Sequence, residues 1–203
     1  LNGRAQRITI DLDPTDDPTH GQQELTFFNG HYDAWCYLPL VATLTFNDEV
    51  EQYLVAIVLR PGNSSAKRGA SGLLRSLVRC LRRAFPEATL RVRVDGGFAG
   101  NDWLEVLETQ RVEYVVGVAS NARLVQRAGR LLGEAYGLSK YSGHTEHVYG
   151  DTLYAAGSWS RRRRVIIKAE VVRLPGRDPK CNPRFVVTNL RETPATVYAS
   201  YCQ

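Results

Sequence analysis

Apolar and polar residues alternate along the first 60 residues in a pattern that predicts β-strands. Residues 7–13 (RITIDLD) form a half-buried strand in this interpretation, and residues 37–46 and 52–60 form two further strands joined by a hairpin. Apolar residues at helical spacing then predict a helix over residues 70–85, which ends before Pro86. The chain is therefore expected to begin with a three-stranded meander followed by a helix.

After this helix, strands and helices alternate. The predicted elements are a strand over residues 89–95, a helix over 101–110, a strand over 112–119 and a helix over 121–136. Three consecutive strands followed by alternation predict an α/β fold with a mixed sheet flanked by helices. The last third changes character, since strand-like patterns dominate residues 141–200. We interpret that segment as a β-rich insertion and not as a separate domain.

Composition adds a modest basic bias to this picture. The chain has 203 residues with 43% hydrophobic and 23% charged content, as in ordinary globular proteins, and no apolar run approaches the length of a membrane span. The 26 lysines and arginines outnumber 21 acidic residues, and arginines cluster at residues 75–83, 123–130 and 160–164. Arginine suits phosphate recognition, although such clusters are often only solvated faces. A polyanionic partner and no membrane partner are expected.

Cysteine usage argues against a metal ribbon or a disulfide framework. The four cysteines lie far apart and form no C-x-x-C pair. Free thiols in a reducing cytoplasm are therefore expected.

Carboxylates crowd the end of the first predicted strand. Four aspartates, Asp11, Asp13, Asp16 and Asp17, fall within seven positions, and Asp95 ends the strand over residues 89–95. If these two strands are neighbours, Asp13 and Asp95 face each other at one sheet edge, where ligand sites of open sheets gather. Paired carboxylates suit Mg²⁺ and phosphoryl transfer, whereas the alternative is a solvated loop and an Asp-Gly turn.

The neighbouring aspartates fall in different predicted elements. Asp11 lies on the same strand face as Asp13, so Asp11 is an alternative first metal ligand or a partner of the site. Asp16 and Asp17 fall in a proline-punctuated loop and are expected to be exposed.

Several long segments resemble one family. LDPTDDPTHGQQE, FFNGHYDAWCYLPL, RVRVDGGFAG, VEYVVGVASNARL and RRVIIKAEVVRLPG together are similar to the DDE transposases of bacterial insertion sequences, in the group 1 DDE domain class. The resemblance runs from about residue 7 to the end. It implies a ribonuclease-H-like fold with a β-rich insertion. It also implies catalytic, metal-binding roles for Asp13 and for Asp95, whose motif continues with Gly97 and Phe98.

The third carboxylate of that family has no match. In the related enzymes this glutamate is the last residue of a helical Tyr-x-x-Arg-x-x-x-Glu pattern, and YCQ at residues 201–203 resembles only the opening of that pattern. Residues 1–203 are therefore expected to be a partial catalytic domain, with a core over 7–140, the insertion over 141–200 and the last catalytic helix missing. Such a fragment is expected to be inactive by itself.

The resemblance also implies cofactors and partners. Mg²⁺ or Mn²⁺ would support DNA strand cleavage and strand transfer at insertion-sequence ends, and the enzyme would act on end and target DNA as a homo-oligomer. It would work in the bacterial cytoplasm, associated with the nucleoid when bound to DNA. The arginines expected to contact DNA phosphates are Arg161, Arg162, Arg163, Arg164, Arg123 and Arg127.

Two other functions fit parts of the sequence. DLDPT also matches the Asp-x-Asp-x-Thr pattern of haloacid-dehalogenase-like phosphatases, with Asp11 as nucleophile and Asp13 as acid and base; that fold requires a helix soon after the first strand. The other is a DNA-binding remnant without chemistry. Zinc binding by His144 and His147 is disfavoured because no third ligand is near. Core packing is expected for most aromatic residues of FFNGHYDAWCY.

Overall fold

The structure is a computed structural model that describes residues 4–21 and 23–203. Its helices are α1 (Ala70–Ala84), α2 (Asn101–Thr109), α3 (Ala122–Ser142) and α4 (Pro194–Cys202). Its strands are β1 (Arg7–Pro14), β2 (Asp17–Pro18), β3 (Phe27–Asn29), β4 (Ala34–Tyr37), β5 (Leu40–Phe46), β6 (Tyr53–Val58), β7 (Thr89–Val94), β8 (Glu113–Val118), β9 (Glu146–Tyr154), β10 (Arg163–Val172), β11 (Lys180–Cys181) and β12 (Arg184–Thr188). The chain divides into two compact units, Leu1–Phe98 with Asp102–Glu113 and Ala99–Asn101 with Tyr114–Gln203.

In the first unit, β1 lies between β5 and β7. It pairs antiparallel with β5 and parallel with β7, and β6 follows β5 as the next antiparallel strand. The predicted meander lies to one side of β1, which confirms that the strands over residues 7–13 and 89–95 are neighbours. Alternation explains the burial, because Ile8, Ile10 and Leu12 are buried on one face of β1.

β6 is the last strand of this order. Nearly all of its side chains are exposed, although the segment YLVAIV is apolar throughout. Among the described residues no strand pairs with its outer edge. The first unit therefore ends in an open, apolar edge strand.

A separate small sheet follows β1, in the order β2-β4-β3. Its aromatic side chains are largely at the surface, with exposed fractions of 39% for Phe27, 51% for Phe28 and 60% for Trp35. The expectation that most aromatic residues of this segment pack in the core is wrong for these three. Strands of two to four residues cover too little area to bury both of their faces.

In the second unit, β10 is central. It pairs antiparallel with β9, β11 and β12, and β12 pairs antiparallel with β8. Helices α3 and α4 pack against β9 and β10. A buried cluster joins strands and α4 through Val115, Ile166, Val186, Leu190, Val197 and Tyr198.

The segment interpreted as β-rich also contains a helix. Thr193 caps α4 by accepting a hydrogen bond from the Thr196 backbone N–H, and Pro194 occupies the first turn. The buried residues of α4, Val197 and Tyr198, are adjacent and form no helical repeat, so apolar periodicity does not reveal this helix.

The predicted α/β class is confirmed, since the structure has a mixed sheet flanked by helices. No helix in the described part of the chain has the length and apolar character needed to cross a membrane.

Candidate functional site

The register between β1 and β7 places charged residues opposite one another. The last matched pair of these parallel strands is Asp11 and Arg93. Continuing the register by two residues on each strand brings Asp13 level with Asp95, at the edge where both strands end. Since side chains alternate along a strand, Asp11 and Asp13 share one face of β1.

Asp11 forms an ion pair with Arg93. The Arg93 Nε and Nη2 atoms donate to the two carboxylate oxygens at 2.5 and 3.0 Å. Both side chains are largely shielded from solvent. A bidentate pair of this kind is stronger than a single charged hydrogen bond, and it neutralises the Asp11 carboxylate.

Asp13 is influenced by two other carboxylates, and no cation among the described residues offsets them. Partial burial raises the pKa of Asp13, and the negative charges of Asp95 and then Asp11 raise it further. The carboxylates of Asp13 and Asp95 are thus close enough to repel each other. A cation between them would relieve that repulsion.

The turn after β7 fixes the Asp95 carboxylate. The Gly97 backbone N–H donates to Asp95 Oδ1 at 2.9 Å. A Cβ atom at Gly97 would lie 3.0 Å from the Ala66 Cβ and 3.1 Å from Asp95 Oδ1, so a side chain here would press on the carboxylate. Phe98 anchors the turn because its buried ring packs against Trp103, with the two ring centres 5.2 Å apart.

A buried arginine orders the loop that touches this turn. Arg60 donates from Nε to the Leu38 carbonyl at 2.8 Å and from Nη1 to the Ser65, Ala66 and Arg68 carbonyls at 2.9–3.2 Å. Because these bonds fix Ala66, and Ala66 lies against Gly97, Arg60 supports the Asp95 turn indirectly. Burial lowers the pKa of Arg60.

Tyr32 lies beside the same carboxylates. Its hydroxyl donates to the Pro14 carbonyl at 3.2 Å, which ties the end of β1 to the segment before β4. Burial raises the pKa of Tyr32, as do the charges of Asp13, Asp16 and Asp95. Asp16 is half-buried, contrary to the expectation that it is exposed, whereas Asp17 is exposed as expected.

Sequence reasoning missed Arg93, Arg60 and Tyr32. Arg93 had a usable signal, because a parallel pairing of β1 with β7 places it opposite Asp11 although 82 residues separate them. Arg60 and Tyr32 act through contacts with distant backbone carbonyls, which no local pattern encodes.

The arginine run 160–164 belongs to the second unit, and its side chains range from buried to exposed. Arg163 is only 4% exposed, and its guanidinium lies 5.6 Å from the Trp159 ring centre. Arg164 is half-buried and pairs with Asp151 at 2.6 Å while donating to the Leu190 and Glu192 carbonyls. These two arginines stabilise the second unit.

The other four arginines predicted to bind DNA all lie at the surface. Arg127 donates from Nη1 to Thr152 Oγ1 and to the Leu153 carbonyl at 2.9 and 3.0 Å, although it lies at the surface. Arg123, Arg161 and Arg162 are exposed.

Among the described residues, no group of three or more histidine, cysteine, aspartate or glutamate side chains has an arrangement that could hold a metal ion. His144 and His147 are exposed. Asp13 and Asp95 are therefore two carboxylates that no third acidic, histidine or cysteine side chain joins in such an arrangement, in the part of the chain that the structure describes. Oxygen ligands of this kind fit Mg²⁺, which is often held by one or two carboxylates and completed by waters and phosphate.

The sequence model of the family described as Transposase DDE domain group 1 matches residues 2–203. The chain belongs to this family. A comparison with curated proteins found no match. Among solved structures, the crystal structure of the NurA nuclease from Sulfolobus solfataricus is similar over 99% of this chain and 73% of that one, with 8% identity and a TM-score of 0.42. A likeness of this degree says nothing about function.

Membership in the DDE domain group makes this a transposase-family protein of nuclease type whose substrate is DNA, and the family is generally dependent on a divalent metal. The phosphatase alternative required a helix soon after the first strand. Between Pro14 and Ala70 the described residues instead form the five strands β2 to β6 and no α-helix.

Proposed function

We propose that this chain is the catalytic core of a DNA transposase that cleaves and joins strands at insertion-sequence ends, with Asp13 and Asp95 as metal ligands. The proposal is carried by the strand register, which puts Asp13 opposite Asp95 two residues beyond the last β1–β7 pair. The raised pKa of Asp13, caused in part by the charge of Asp95, supports it. We assign the core to residues 7–140 and the β-rich insertion to residues 141–200. The enzyme acts on DNA as a homo-oligomer.

Asp13 is the preferred first ligand over Asp11. Binding a cation through Asp11 would require its carboxylate to leave Arg93, and an arginine without its partner in a shielded position is costly. Asp13 forms no ion pair with another described residue, so binding a cation through it breaks none. Asp11 and Arg93 instead position β1 and β7 so that their ends meet.

Asp13 and Asp95 would hold Mg²⁺ or Mn²⁺. A divalent cation at this place supplies Lewis-acid stabilisation of the negative charge that develops on a phosphate during strand cleavage. The residues of the chain contribute placement: Gly97 fixes the Asp95 carboxylate, and Tyr32 fixes the backbone next to Asp13. Their hydrogen bonds keep the two carboxylates at one edge before the cation arrives.

We further propose that the 203-residue chain on its own is inactive in strand cleavage, since no third acidic ligand joins Asp13 and Asp95 among the described residues. Arg123, Arg161 and Arg162 are the exposed arginines we assign to phosphate contacts in the second unit, together with the exposed Arg127. Arg163 and Arg164 act there through their structural contacts.

The test combines metal binding with a cleavage assay. Mn²⁺ binding is measured by calorimetry for the wild type, for Asp13→Asn and Asp95→Asn, and for the control Asp17→Asn, which changes an exposed aspartate of the same region. Loss of binding in the first two variants alone is the expected result. Equal binding by Asp13→Asn and the wild type would overturn the site.

The cleavage assay uses supercoiled plasmid with Mn²⁺ and the wild-type chain. No nicking above background is expected. Nicking that depends on both Mn²⁺ and Asp13 would retain the metal site and refute the inactivity of the chain. Salt-sensitive DNA binding without any Mn²⁺ binding would instead favour the non-catalytic remnant.

A further inference from the structure

Helix α1 presents four arginines on one face. Arg75, Arg79, Arg82 and Arg83 lie within an arc of about 100° on a helix with 3.6 residues per turn. The buried side chains of the helix lie on another face: Ala70, Leu74, Val78 and Leu81. The segment Ala70–Ala84 contains no aspartate or glutamate. The exposed face is therefore purely cationic.

This arrangement costs stability. Like charges four residues apart, such as Arg75 with Arg79 and Arg79 with Arg83, destabilise a helix by about 0.2–0.5 kcal/mol per pair. None of the four arginines forms an ion pair with another described residue, whereas Arg93 pairs with Asp11 in the same unit. Only Arg82 and Arg83, in the last turn, gain from the helix dipole. A purely structural surface would mix charges of both signs.

The arginines line a groove with a volume of about 400 Å³, to which Val78 and Gln110 also contribute. Two of the lining residues contact each other, since Arg82 Nη2 donates to the Gln110 carbonyl at 2.5 Å. The C-terminal end of α2 is thereby tied to α1. Four of the six residues that line the groove are arginines, which contribute aliphatic side-chain atoms as well as guanidinium groups.

Contacts at the two ends of α1 give the groove a direction. Ala66, just before the helix, lies against Gly97 next to Asp95. Phe85, just after the helix, packs against Phe46 at 5.5 Å, and Phe46 is paired with Ile8 near the other end of β1. The arginine face therefore leads away from the carboxylate edge toward the opposite end of the sheet in this unit.

We propose that the α1 groove binds the sugar–phosphate backbone of duplex DNA that extends from the Asp13–Asp95 edge. The inference rests on the proposed function, since it takes DNA as the substrate. Arg75 to Arg83 spans about 12 Å at 1.5 Å per residue. Along the duplex axis, where one strand advances 3.4 Å per nucleotide, this length covers roughly three to four phosphates. Contacts of this kind position DNA without reading its sequence.

The experiment measures binding of a 30-base-pair duplex by fluorescence anisotropy in EDTA at several NaCl concentrations. The groove variant is Arg75→Gln/Arg79→Gln/Arg83→Gln, which leaves the Arg82 contact to Gln110 in place. The matched control, Arg4→Gln/Arg177→Gln/Arg191→Gln, removes three exposed charges elsewhere. Thermal unfolding verifies that both variants are folded.

The groove variant is expected to make the negative slope of log K against log salt shallower by about 2.7, at 0.9 per lost phosphate contact. The control is expected to change the slope by less than about 1. Equal losses in both variants would assign the effect to net charge and overturn the groove, as would an unchanged slope in the groove variant.

Failure of the groove is separable from failure of the proposed function. Wild-type protein that binds Mn²⁺ through Asp13 but shows the same DNA binding as the groove variant refutes the groove alone. Loss of DNA binding in the groove variant, with no Mn²⁺ binding by the wild type, refutes the metal site and leaves the groove standing. Absence of duplex binding by the wild type refutes the groove and DNA as substrate together.

Discussion

Asp11 and Asp13 lie two residues apart on the same face of β1, and their carboxylates have opposite surroundings. Asp11 accepts two hydrogen bonds from Arg93, so its charge is neutralised inside the sheet. Asp13 lies at the strand end, where burial, Asp95 and Asp11 all raise its pKa. The same residue type therefore supports the structure at one position and accumulates negative charge at the other.

The difference shows how carboxylates without a cationic partner come to lie at a sheet edge. Inside the β1–β7 pairing, every charge needs a partner from the neighbouring strand, because burial without one is costly. Two residues beyond the last pair, the side chains of Asp13 and Asp95 are exposed, and the negative charge of Asp95 raises the pKa of Asp13. The proposed cation would offset that repulsion.

The largest expected change in stability comes from substituting the two aspartates of β1, which should shift the free energy of unfolding in opposite directions. Asp11→Asn should lower the free energy of unfolding by about 3 kcal/mol, because Arg93 loses its carboxylate partner in a shielded position. Asp13→Asn removes a repelled charge and should raise stability by less than about 1 kcal/mol, since the site is partly exposed and screened. Urea unfolding at pH 7 without metal measures both.

Asp17→Asn is the control for that measurement and should leave stability unchanged within about 0.5 kcal/mol. A destabilisation of Asp13→Asn equal to that of Asp11→Asn would remove the distinction between the two positions.

A smaller effect is expected from Gly97→Ala. The added Cβ would crowd Asp95 Oδ1 and Ala66, so the carboxylate must shift. Mn²⁺ affinity measured by calorimetry should fall about tenfold, which corresponds to about 1.4 kcal/mol. Gly96→Ala, one residue earlier in the same turn, is the comparison. Unchanged affinity in Gly97→Ala would show that the position of Asp95 does not matter for the metal.

Metal and pH should act together on Asp13. Since its pKa is raised in the folded chain, the native state binds more protons than the unfolded state between the ordinary aspartate pKa and the raised value. The contribution of Asp13 to stability in the absence of metal therefore falls as pH rises through that window.

Mn²⁺ reverses this trend because it binds the ionised carboxylate. At a metal concentration ten times the Kd, the native state should gain about 1.4 kcal/mol at pH 7. The gain should disappear as pH falls through the raised pKa of Asp13, at a higher pH than for an unperturbed aspartate. Differential scanning fluorimetry across pH measures it, and a gain that persists in Asp13→Asn would contradict the assignment.

The smallest effect is expected from Tyr32→Phe, which removes the hydrogen bond to the Pro14 carbonyl. A single neutral hydrogen bond of this kind contributes about 0.5–1 kcal/mol to stability. Urea unfolding measures the loss, and Tyr53→Phe, on the exposed face of β6, serves as the control. A loss above about 2 kcal/mol would mean that Tyr32 supports more of the β1 end than this bond.

The sequence predicted the strands around Asp13 and Asp95 well because each has a local signature. Alternation marked β1, and apolar spacing marked α1. Placing β1 beside β7 followed from the order of elements alone. The aspartates themselves, as the site, stay a prediction that the metal-binding measurements above address.

Other features depended on contacts that a linear pattern does not contain. The runs at residues 75–83 and 160–164 are both arginine-rich, yet Arg163 is buried against Trp159, whereas Arg75 and Arg79 are exposed on α1. Their periodicity was the available signal, because residues spaced three and four apart share one helix face, whereas consecutive arginines entering a strand point to alternating faces. Arg60 had no such signal, since its acceptors are backbone carbonyls.

The open edge of β6 has a consequence for the protein in the test tube. YLVAIV has six uncharged, proline-free residues, and it leaves unpaired backbone groups along an exposed apolar strand. Strands of this composition act as templates on which other chains add, so concentrated samples will tend to self-associate into sheet-like aggregates. A lysine in place of Val55, whose side chain is already exposed, is the first change to make for a sample that stays monodisperse.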